Sequence, residues 1–176
     1  MIYYYKDSNL VIRDMKIDDI TIIHNERLSH GWRSDMTVYE RYFREQHAKT
    51  LYVFIAEYNG DIAGYTILKL QASEGPFADQ RLPEVSDFNV FPKYRRKGIG
   101  SRILDVVENF AAKFSKTITL AVGLHAGYGS AQRLYVKRGY IPDGSGVWYR
   151  GHKLEPYAEC CNDDLVLYLY KQLDIK

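Results

Sequence analysis

The sequence of 176 residues predicts an α/β (α+β) fold, in which strand-like and helical segments follow one another along most of the chain. Two observations support this class. First, Asn59-Gly60 separates the apolar segments Leu51–Tyr58 and Ile62–Leu70, and an Asn-Gly pair between such segments strongly favours a β-hairpin. Second, the strand-like segment Glu84–Phe91 leads through a basic, glycine-rich turn into a segment with helical periodicity. We expect residues 1–176 to form a single domain, which is ordinary for this length.

The N-terminal half is assigned from periodicity and from the residues that begin or end helices. Residues 9–14 predict a first strand, and Ile17–Leu28 predicts a helix that stops before Gly31. Thr37–Ala48 predicts a second helix, and the proline- and glycine-containing residues 71–83 predict a loop. The helix behind the basic turn has apolar side chains at helical spacing. These are Ile103, Val106, Val107, Phe110 and Phe114.

The C-terminal part predicts two further strands and one helix. Thr117–Val122 alternates as a strand, and a helix follows that Ser130 caps and Gly139 ends. Leu165–Leu173 predicts the last strand. The connection from Asp143 to Asp164 is long for a loop in a compact domain, which favours a functional lid.

The turn at residues 95–101, Arg-Arg-Lys-Gly-Ile-Gly-Ser, is typical of an anion-binding site at the start of a helix. Gly98 and Gly100 have no side chain that would keep a diphosphate away from the backbone N–H groups there. The three cations before them neutralise further negative charge. The turn lacks the third glycine of G-x-G-x-x-G, and the chain contains no G-x-x-x-x-G-K-S/T segment. A purely structural role for the glycines, beside a solvated basic surface, is the alternative.

Two segments resemble the GNAT superfamily of N-acetyltransferases. Val90–Leu104 resembles its motif A, Q/R-x-x-G-x-G/A, with Arg95, Gly98 and Gly100 at the fixed positions. Ala131–Tyr140 resembles its motif B, A-x-x-L-Y-x-K-x-G-F/Y, at every fixed position.

The resemblance implies a GNAT-like mixed, strongly bent central sheet of about six to seven strands, with helices on both faces. It implies acetyl-CoA as co-substrate, no metal, and direct attack of an amine on the thioester. The superfamily often has an Asn that helps to bind pantetheine where this chain has Tyr128, whose hydroxyl can also donate a hydrogen bond. The implied cofactor-binding residues are Phe88, Asn89, Val90, Arg95, Arg96, Lys97, Gly98, Ile99, Gly100, Ser101 and Tyr128.

Two proton transfers need catalytic residues. The resemblance assigns Tyr135 of motif B as hydrogen-bond donor to the departing thiolate, the alternative being an ordinary buried aromatic residue. An alkyl ammonium must also lose a proton, which costs about 4.6 kcal/mol at pH 7 from an ordinary pKa of about 10.4. We assign that base to Glu84, with Asp87 and His125 as alternatives. Glu84 and Asp87 are three apart in a strand, so they are expected on opposite faces.

In the GNAT superfamily the acceptor is recognised by the loop between the first two helices and by the segment before the last strand. Aromatic and acidic side chains in both regions suit a small cationic amine, with a peptide or protein amine as the variant. These residues are Trp32, Arg33, Asp35 and Tyr39, and then Trp148, Tyr149, Arg150, His152, Glu155, Tyr157, Glu159, Asp163 and Asp164. The alternative function is a non-catalytic acyl-CoA-binding sensor or regulatory module, and the intact motif B tyrosine favours the enzyme.

Composition argues against several other classes of protein. The net charge is only +2, from 24 basic and 22 acidic residues, so nucleic-acid binding is not indicated. No apolar segment approaches the roughly 20 residues of a membrane span, and the first residues, Met-Ile-Tyr-Tyr-Tyr-Lys, lack the apolar segment typical of a signal peptide, so we expect a cytoplasmic monomer or homodimer without a membrane partner. Cys160 and Cys161 are adjacent, which excludes an ordinary disulfide framework. Four histidines are expected at the surface or in loops, and no pair has metal spacing: His24, His30, His47 and His152.

Overall fold

The computed structural model describes residues 1–174, which divide into two compact units. The first unit contains residues 1–69 and 86–110, and the second contains residues 70–85 and the chain from residue 111 onward.

The first unit holds four complete strands, the larger part of a fifth, and three helices. Its strands are β1 (Tyr3–Lys6), β2 (Leu10–Arg13), β3 (Leu51–Tyr58), β4 (Asp61–Lys69) and most of β5 (Glu84–Val90), which are neighbours in that order. Its helices are α1 (Asp19–Ser29), α2 (Met36–His47) and, except for its last residue, α3 (Ile99–Ala111). The predicted hairpin is confirmed, because β3 and β4 pair antiparallel around Asn59 and Gly60.

Helices α2 and α3 lie on opposite faces of the β3–β4 pair. The ring of Phe110 on α3 is 5.7 Å from that of Phe54, and the ring of Tyr39 on α2 is 6.1 Å from that of Tyr65. Tyr65 is the register partner of Ile55, the residue next to Phe54. Since successive strand residues point to opposite faces, the predicted placement of helices on both faces is confirmed.

A buried ion pair joins α1 to the neighbouring strands. The side chain of Arg13 is only 2% exposed, and its Nη1 lies 2.6 Å from Oδ2 of Asp19 at the start of α1. Its Nε also donates to Oε1 of Glu57 on β3, at 2.9 Å. Because a buried guanidinium is stable only with such partners, these contacts fix how α1 meets β2 and β3.

The second unit holds four complete strands, the start of β5 and one helix. These are β6 (Thr117–Gly123), α4 (Gly129–Lys137), β7 (Ile141–Tyr149), β8 (His152–Lys153) and β9 (Leu165–Gln172). Strands β5 and β6 are parallel, whereas β9 pairs antiparallel with both β6 and β7.

The predicted lid at Asp143–Asp164 is wrong for its first part, because β7 and β8 form a hairpin there. Gly144 and Gly146 lie inside β7 with φ of 87° and 86°, where the register against β9 shifts. Such glycines mark an irregular strand rather than a loop, which explains the error.

The predicted fold class is confirmed as a mixed α/β fold, with strands in the order β1-β2-β3-β4-β5-β6-β9-β7-β8. The expected six to seven strands were too few, since the described residues form nine. The short strands β1 and β8 and the glycine-containing β7 account for the difference. Helix bounds agree to within about two residues, except that α3 ends at Ala111, before Phe114, and α4 begins ahead of Ser130.

Candidate functional site

The basic turn of the first unit has the backbone of an anion-binding site. Arg96 and Gly98 both have left-handed backbones, with φ of 61° and 77°, and α3 begins at the next residue. The Arg102 N–H donates to the Gly98 carbonyl at 3.0 Å, so Gly98 accepts the first hydrogen bond of the helix. A Cβ added at Gly98 would meet no protein atom within 4 Å, so the space beside this backbone is open. The next residues supply the N–H groups of the first helical turn: Ile99, Gly100 and Ser101.

The cations of the turn are exposed, and two of them are held by neighbours. The Arg95 Nε donates to the Val90 carbonyl at 3.0 Å, and its guanidinium lies 5.6 Å from the Trp32 ring centre. The Lys97 ammonium lies 4.8 Å from the ring centre of Tyr58. These contacts hold positive charge beside the start of α3, where the helix dipole also favours an anion.

The predicted pantetheine-contacting residues of β5, Phe88, Asn89 and Val90, are half-buried. The Asn89 side chain donates to Oδ1 of Asp87 at 2.8 Å, so its amide is directed at that carboxylate. At Gly64 on β4, an added Cβ would lie 2.4 Å from the Asn89 carbonyl oxygen. Only glycine therefore allows this approach of β4 to β5.

Asp87 is the centre of a polar cluster within the first unit. Its Oδ2 accepts from the Tyr42 hydroxyl at 3.3 Å, and its Oδ1 lies 3.8 Å from Nη1 of Arg27. The Tyr65 hydroxyl accepts from Nη1 of the same Arg27 at 3.0 Å. The φ of Asp87 is 46°, which interrupts the alternation of β5, so the expectation that Glu84 and Asp87 face oppositely no longer follows.

The surroundings of Asp87 change its acidity. Burial raises the pKa of the Asp87 carboxyl, and the nearby Arg27 charge and the hydrogen bonds from Tyr65, Asn89 and Tyr42 oppose that rise without cancelling it. A quarter of the Asp87 side chain is nevertheless exposed. Asp87 is thus a partly accessible carboxylate with increased affinity for a proton.

In the second unit, Tyr135 lies on α4 and is 5% exposed. Its ring lies 5.7 Å from that of Tyr140. Burial raises the pKa of the Tyr135 phenol, and the nearby Tyr128 makes a smaller contribution in the same direction. The phenol therefore stays protonated at neutral pH, as a hydrogen-bond donor must.

Tyr128 and His125 lie just before α4. An added Cβ at Gly123 of β6 would meet the Tyr128 ring at 2.3 Å, so the ring rests directly on that glycine. The His125 Nδ1 accepts from the Gly127 N–H at 3.0 Å, and its Nε2 lies 3.0 Å from Oδ1 of Asp163. Because both ring nitrogens are engaged, His125 is disfavoured as the base.

Glu84 begins β5 and is 6% exposed. It is the register partner of Thr119 on β6. Burial raises the pKa of Tyr168 to about 12, and the nearby Glu84 charge is the second largest cause of that rise. Tyr168 packs with Phe77 and Trp148, so Glu84 borders an aromatic cluster of the second unit.

Among the predicted acceptor-binding residues, some have structural contacts with other side chains or the backbone, and others are exposed. Asp35 caps α2 by accepting from the Thr37 N–H at 2.9 Å, and Tyr39 is buried, so both have structural contacts. Arg150 donates to Oδ2 of Asp164 at 2.8 Å, whereas Tyr157 is fully exposed.

The sequence analysis did not single out Arg27, Tyr42 or Tyr65, although they surround Asp87. Two of them carry a hydroxyl group at a buried position, which could have indicated a functional role. Tyr65 lies in the apolar core strand β4, and Tyr42 is a buried residue of α2. His24, expected at the surface or in a loop, is half-buried on α1, and its Nδ1 is hydrogen-bonded to Oγ of Ser34 at 3.0 Å.

Comparisons with known proteins agree with this architecture. The profile of the Acetyltransferase (GNAT) family matches residues 17–140. The uncharacterized N-acetyltransferase YhfO of Bacillus subtilis (strain 168) is 32% identical over 98 residues, which are 55% of this chain and 63% of that protein. The chain thus spans less than two thirds of this curated relative.

Solved structures share the fold at lower identity. One is yncA of Salmonella typhimurium, described as an acetyltransferase candidate with its cofactor acetyl-CoA, at 17% identity and a TM-score of 0.69 over 95% of each chain. Another is spermidine N-acetyltransferase of Vibrio cholerae in complex with CoA and spermine, at 16% identity and a TM-score of 0.67 over 95% of this chain and 97% of that one.

The mixed α/β fold of this chain is the fold of these solved acetyltransferase structures. With the family profile matching residues 17–140, this chain belongs to the acetyltransferase (GNAT) family. Within residues 1–174, no helix has the length and apolar character needed to cross a membrane. The same part of the chain has no group of three His, Cys, Asp or Glu side chains placed to hold a metal ion.

Proposed function

We propose that this protein is an N-acetyltransferase that moves an acetyl group from acetyl-CoA to a primary amine by direct attack. The observation that carries the proposal is the turn before α3, where Gly98 has a φ of 77° and open space at its Cβ position. Family membership and the acetyl-CoA-bound yncA structure support it.

The residues of the turn fit a diphosphate. The N–H groups at the start of α3 donate to its oxygens, and Arg95, Arg96 and Lys97 supply positive charge. Tyr128, exposed beside β6, and the half-buried residues 88–90 of β5 are the proposed contacts for pantetheine. When bound, acetyl-CoA supplies an activated thioester, so no protein nucleophile is needed.

Tyr135 is the proposed hydrogen-bond donor to the departing sulfur. Its raised pKa makes complete proton transfer to a thiolate, whose conjugate acid has an ordinary pKa of about 8.5, unfavourable. We therefore assign to Tyr135 the stabilisation of the thiolate by a hydrogen bond rather than its protonation.

Glu84 is the proposed base for the ammonium form of the acceptor, and Asp87 is the alternative. The low exposure of Glu84 supports contact with a cationic acceptor, because a carboxylate shielded from water attracts a cation more strongly. The raised pKa of Asp87 supports the alternative, because it makes that carboxylate a stronger base than an ordinary aspartate.

The proposed acceptor is a small cationic amine, with a peptide or protein amine as the variant. Glu84 beside the aromatic cluster of Tyr168 supports a cation, since carboxylates and aromatic faces both attract one. The spermidine N-acetyltransferase among the structural neighbours supports the same class. A non-catalytic acyl-CoA sensor is the alternative, and turnover distinguishes the two.

Tyr135→Phe tests the proposal. We expect acetyl-CoA binding within about twofold of wild type and turnover reduced about 10- to 1000-fold, because only the leaving-group hydrogen bond is lost. Amine-dependent release of CoA and calorimetric titration measure the two quantities. Tyr3→Phe, on the exposed strand β1, is the control and should match wild type in both. Unchanged turnover in Tyr135→Phe would contradict the assigned role.

A further inference from the structure

The end of helix α1 has a backbone arrangement that fixes where Trp32 begins. Gly31 has a φ of 71°, and its N–H donates to the Leu28 carbonyl at 2.9 Å. The Trp32 N–H donates to the Arg27 carbonyl at 3.0 Å. These two bonds around a left-handed glycine form a Schellman motif, which satisfies carbonyl groups in the last turn of a helix. The direction in which Trp32 leaves α1 is therefore determined by the backbone of this motif.

The indole ring of Trp32 packs on a buried phenylalanine and contacts two arginines. Its centre lies 6.1 Å from that of Phe91, which is fully buried just before the basic turn. The guanidinium carbon of Arg27 lies 5.5 Å from the indole centre, and that of Arg95 lies 5.6 Å from it. A guanidinium within about 6 Å of an indole centre is attracted by the negative face of the ring. Trp32 thus connects the end of α1 with the turn before α3.

The two arginines beside Trp32 differ in their other contacts. Nη1 of Arg27 lies 3.8 Å from Oδ1 of Asp87 and donates to the Tyr65 hydroxyl. Arg95 is exposed, and its Nε donates to the Val90 carbonyl at 3.0 Å. None of the residues that the structure describes accepts a hydrogen bond from the Nη atoms of Arg95. Arg27 is therefore paired within the protein, whereas the outer edge of the Arg95 guanidinium is available to the oxygens of a ligand.

We propose that Trp32 positions the Arg95 guanidinium for the diphosphate of acetyl-CoA, and so acts in acetyl-CoA binding rather than in recognition of the acceptor amine. The inference rests on the proposed function, which takes the basic turn as the diphosphate site. Trp32 does not touch the reacting atoms; it acts through Arg95. An arginine that is held before the ligand arrives loses less conformational entropy on binding, and this increases the affinity.

Lys97, the third cation of the turn, rests on different aromatic rings. Its ammonium lies 4.8 Å from the ring centre of Tyr58 and 5.8 Å from that of Tyr94. Loss of the Trp32 ring should therefore leave Lys97 in place. Lys97 provides the comparison that separates an effect through Arg95 from a general change in the turn.

Trp32→Leu tests the proposal by calorimetric titration with acetyl-CoA. We expect about fivefold weaker binding, because both the cation–π contact and the pre-organisation of Arg95 are lost. In an Arg95→Ala background the same substitution should change the affinity by less than about twofold, since its target is already absent. In a Lys97→Ala background it should again weaken binding about fivefold.

Tyr5→Leu is the matched control. Tyr5 is another half-buried aromatic residue of the first unit, and the guanidinium carbon of Arg102 lies 4.7 Å from its ring centre. Neither residue is among those proposed to bind acetyl-CoA, so Tyr5→Leu should bind it within about twofold of wild type. Trp32→Phe keeps an aromatic face and should lose less affinity than Trp32→Leu.

Two results of these titrations would overturn the proposal. One is an affinity of Trp32→Leu within about twofold of wild type; a raised KM for the acceptor in that same variant would then assign Trp32 to the acceptor. The other is a loss in the Arg95→Ala background equal to the loss in the wild-type background, which would show that Trp32 acts independently of Arg95.

A measurement without acetyl-CoA separates failure of this inference from failure of the proposed function. An indole π-system shifts the magnetic resonance of a nearby N–H group, so the Arg95 Nε–H signal should move in Trp32→Leu, whereas that of Arg102 should not. An unchanged Arg95 signal would exclude the stacked arrangement, whether or not the protein binds acetyl-CoA. A shifted Arg95 signal in a protein whose wild type binds no acetyl-CoA would instead refute the proposed function, and this inference with it.

Discussion

Replacing Gly98 with alanine adds one methyl group to the turn before α3. We expect a small effect on stability and a larger effect on acetyl-CoA binding. The added Cβ meets no protein atom within 4 Å, so there is no steric clash. The φ of 77° remains, and a residue with a Cβ adopts that conformation at a cost of about 1–2 kcal/mol. For a chain of this size the melting temperature should fall by about 2–8 °C.

The effect on binding should be larger than the effect on stability. The new methyl group occupies the open space through which a diphosphate reaches the N–H groups of the turn. Losing one or two charge-assisted hydrogen bonds costs about 3 kcal/mol, which weakens acetyl-CoA binding about 100-fold. Calorimetric titration measures the affinity, and a thermal melt measures the stability.

Gly144→Ala is the matched control. Gly144 has a φ of 87°, also has open space at its Cβ position, and lies in β7, which contains none of the residues proposed to bind acetyl-CoA. It should lose similar stability and keep full affinity. If Gly98→Ala also binds acetyl-CoA as wild type does, the diphosphate does not lie on this backbone and the site is misplaced.

Three further predictions concern the base, a buried ion pair and alkaline pH. Glu84→Gln should lower kcat/KM about 100-fold without weakening acetyl-CoA binding; an activity equal to that of the exposed control Glu40→Gln would exclude Glu84 as the base. Asp19→Asn should lower the free energy of unfolding in urea by about 3–5 kcal/mol, because it removes the more buried of the two carboxylates that pair with the buried Arg13 charge; a loss below about 1 kcal/mol would contradict this. Burial raises the pKa of Tyr4 and Tyr168 to about 12, whereas an unfolded tyrosine ionises near 10, so the unfolded chain loses protons first and stability should decrease from about pH 10 to 12. Urea unfolding at pH 9 and 11 measures that decrease, and equal stabilities would contradict it.

Local sequence signals predicted the elements that position the candidate turn. Asn59-Gly60 sets the β3–β4 hairpin, and the glycine-rich turn opens α3, because both depend on backbone preferences of a few adjacent residues. The lid prediction failed since glycine is also tolerated inside an irregular strand, as at Gly144 and Gly146 of β7. Composition alone does not distinguish these uses of glycine.

The polar cluster around Asp87 was not predictable from local patterns. Arg27, Tyr42 and Tyr65 come from α1, α2 and β4, and only the tertiary fold brings them to one carboxylate. The left-handed backbone of Asp87, with a φ of 46°, also redirects its side chain from the alternation that a regular strand would have. A single sequence gives the residue types of such a cluster, but not which of them meet.

Titration of acetyl-CoA into the purified protein, followed by a thiol-release assay with polyamines, aminoglycosides, amino acids and peptides, tests the proposed transferase most directly. Saturable binding and CoA release that depends on a cationic amine are the predicted result. Binding without release from any amine would favour the acyl-CoA sensor. The absence of binding would contradict the assignment of residues 95–101 as the diphosphate site.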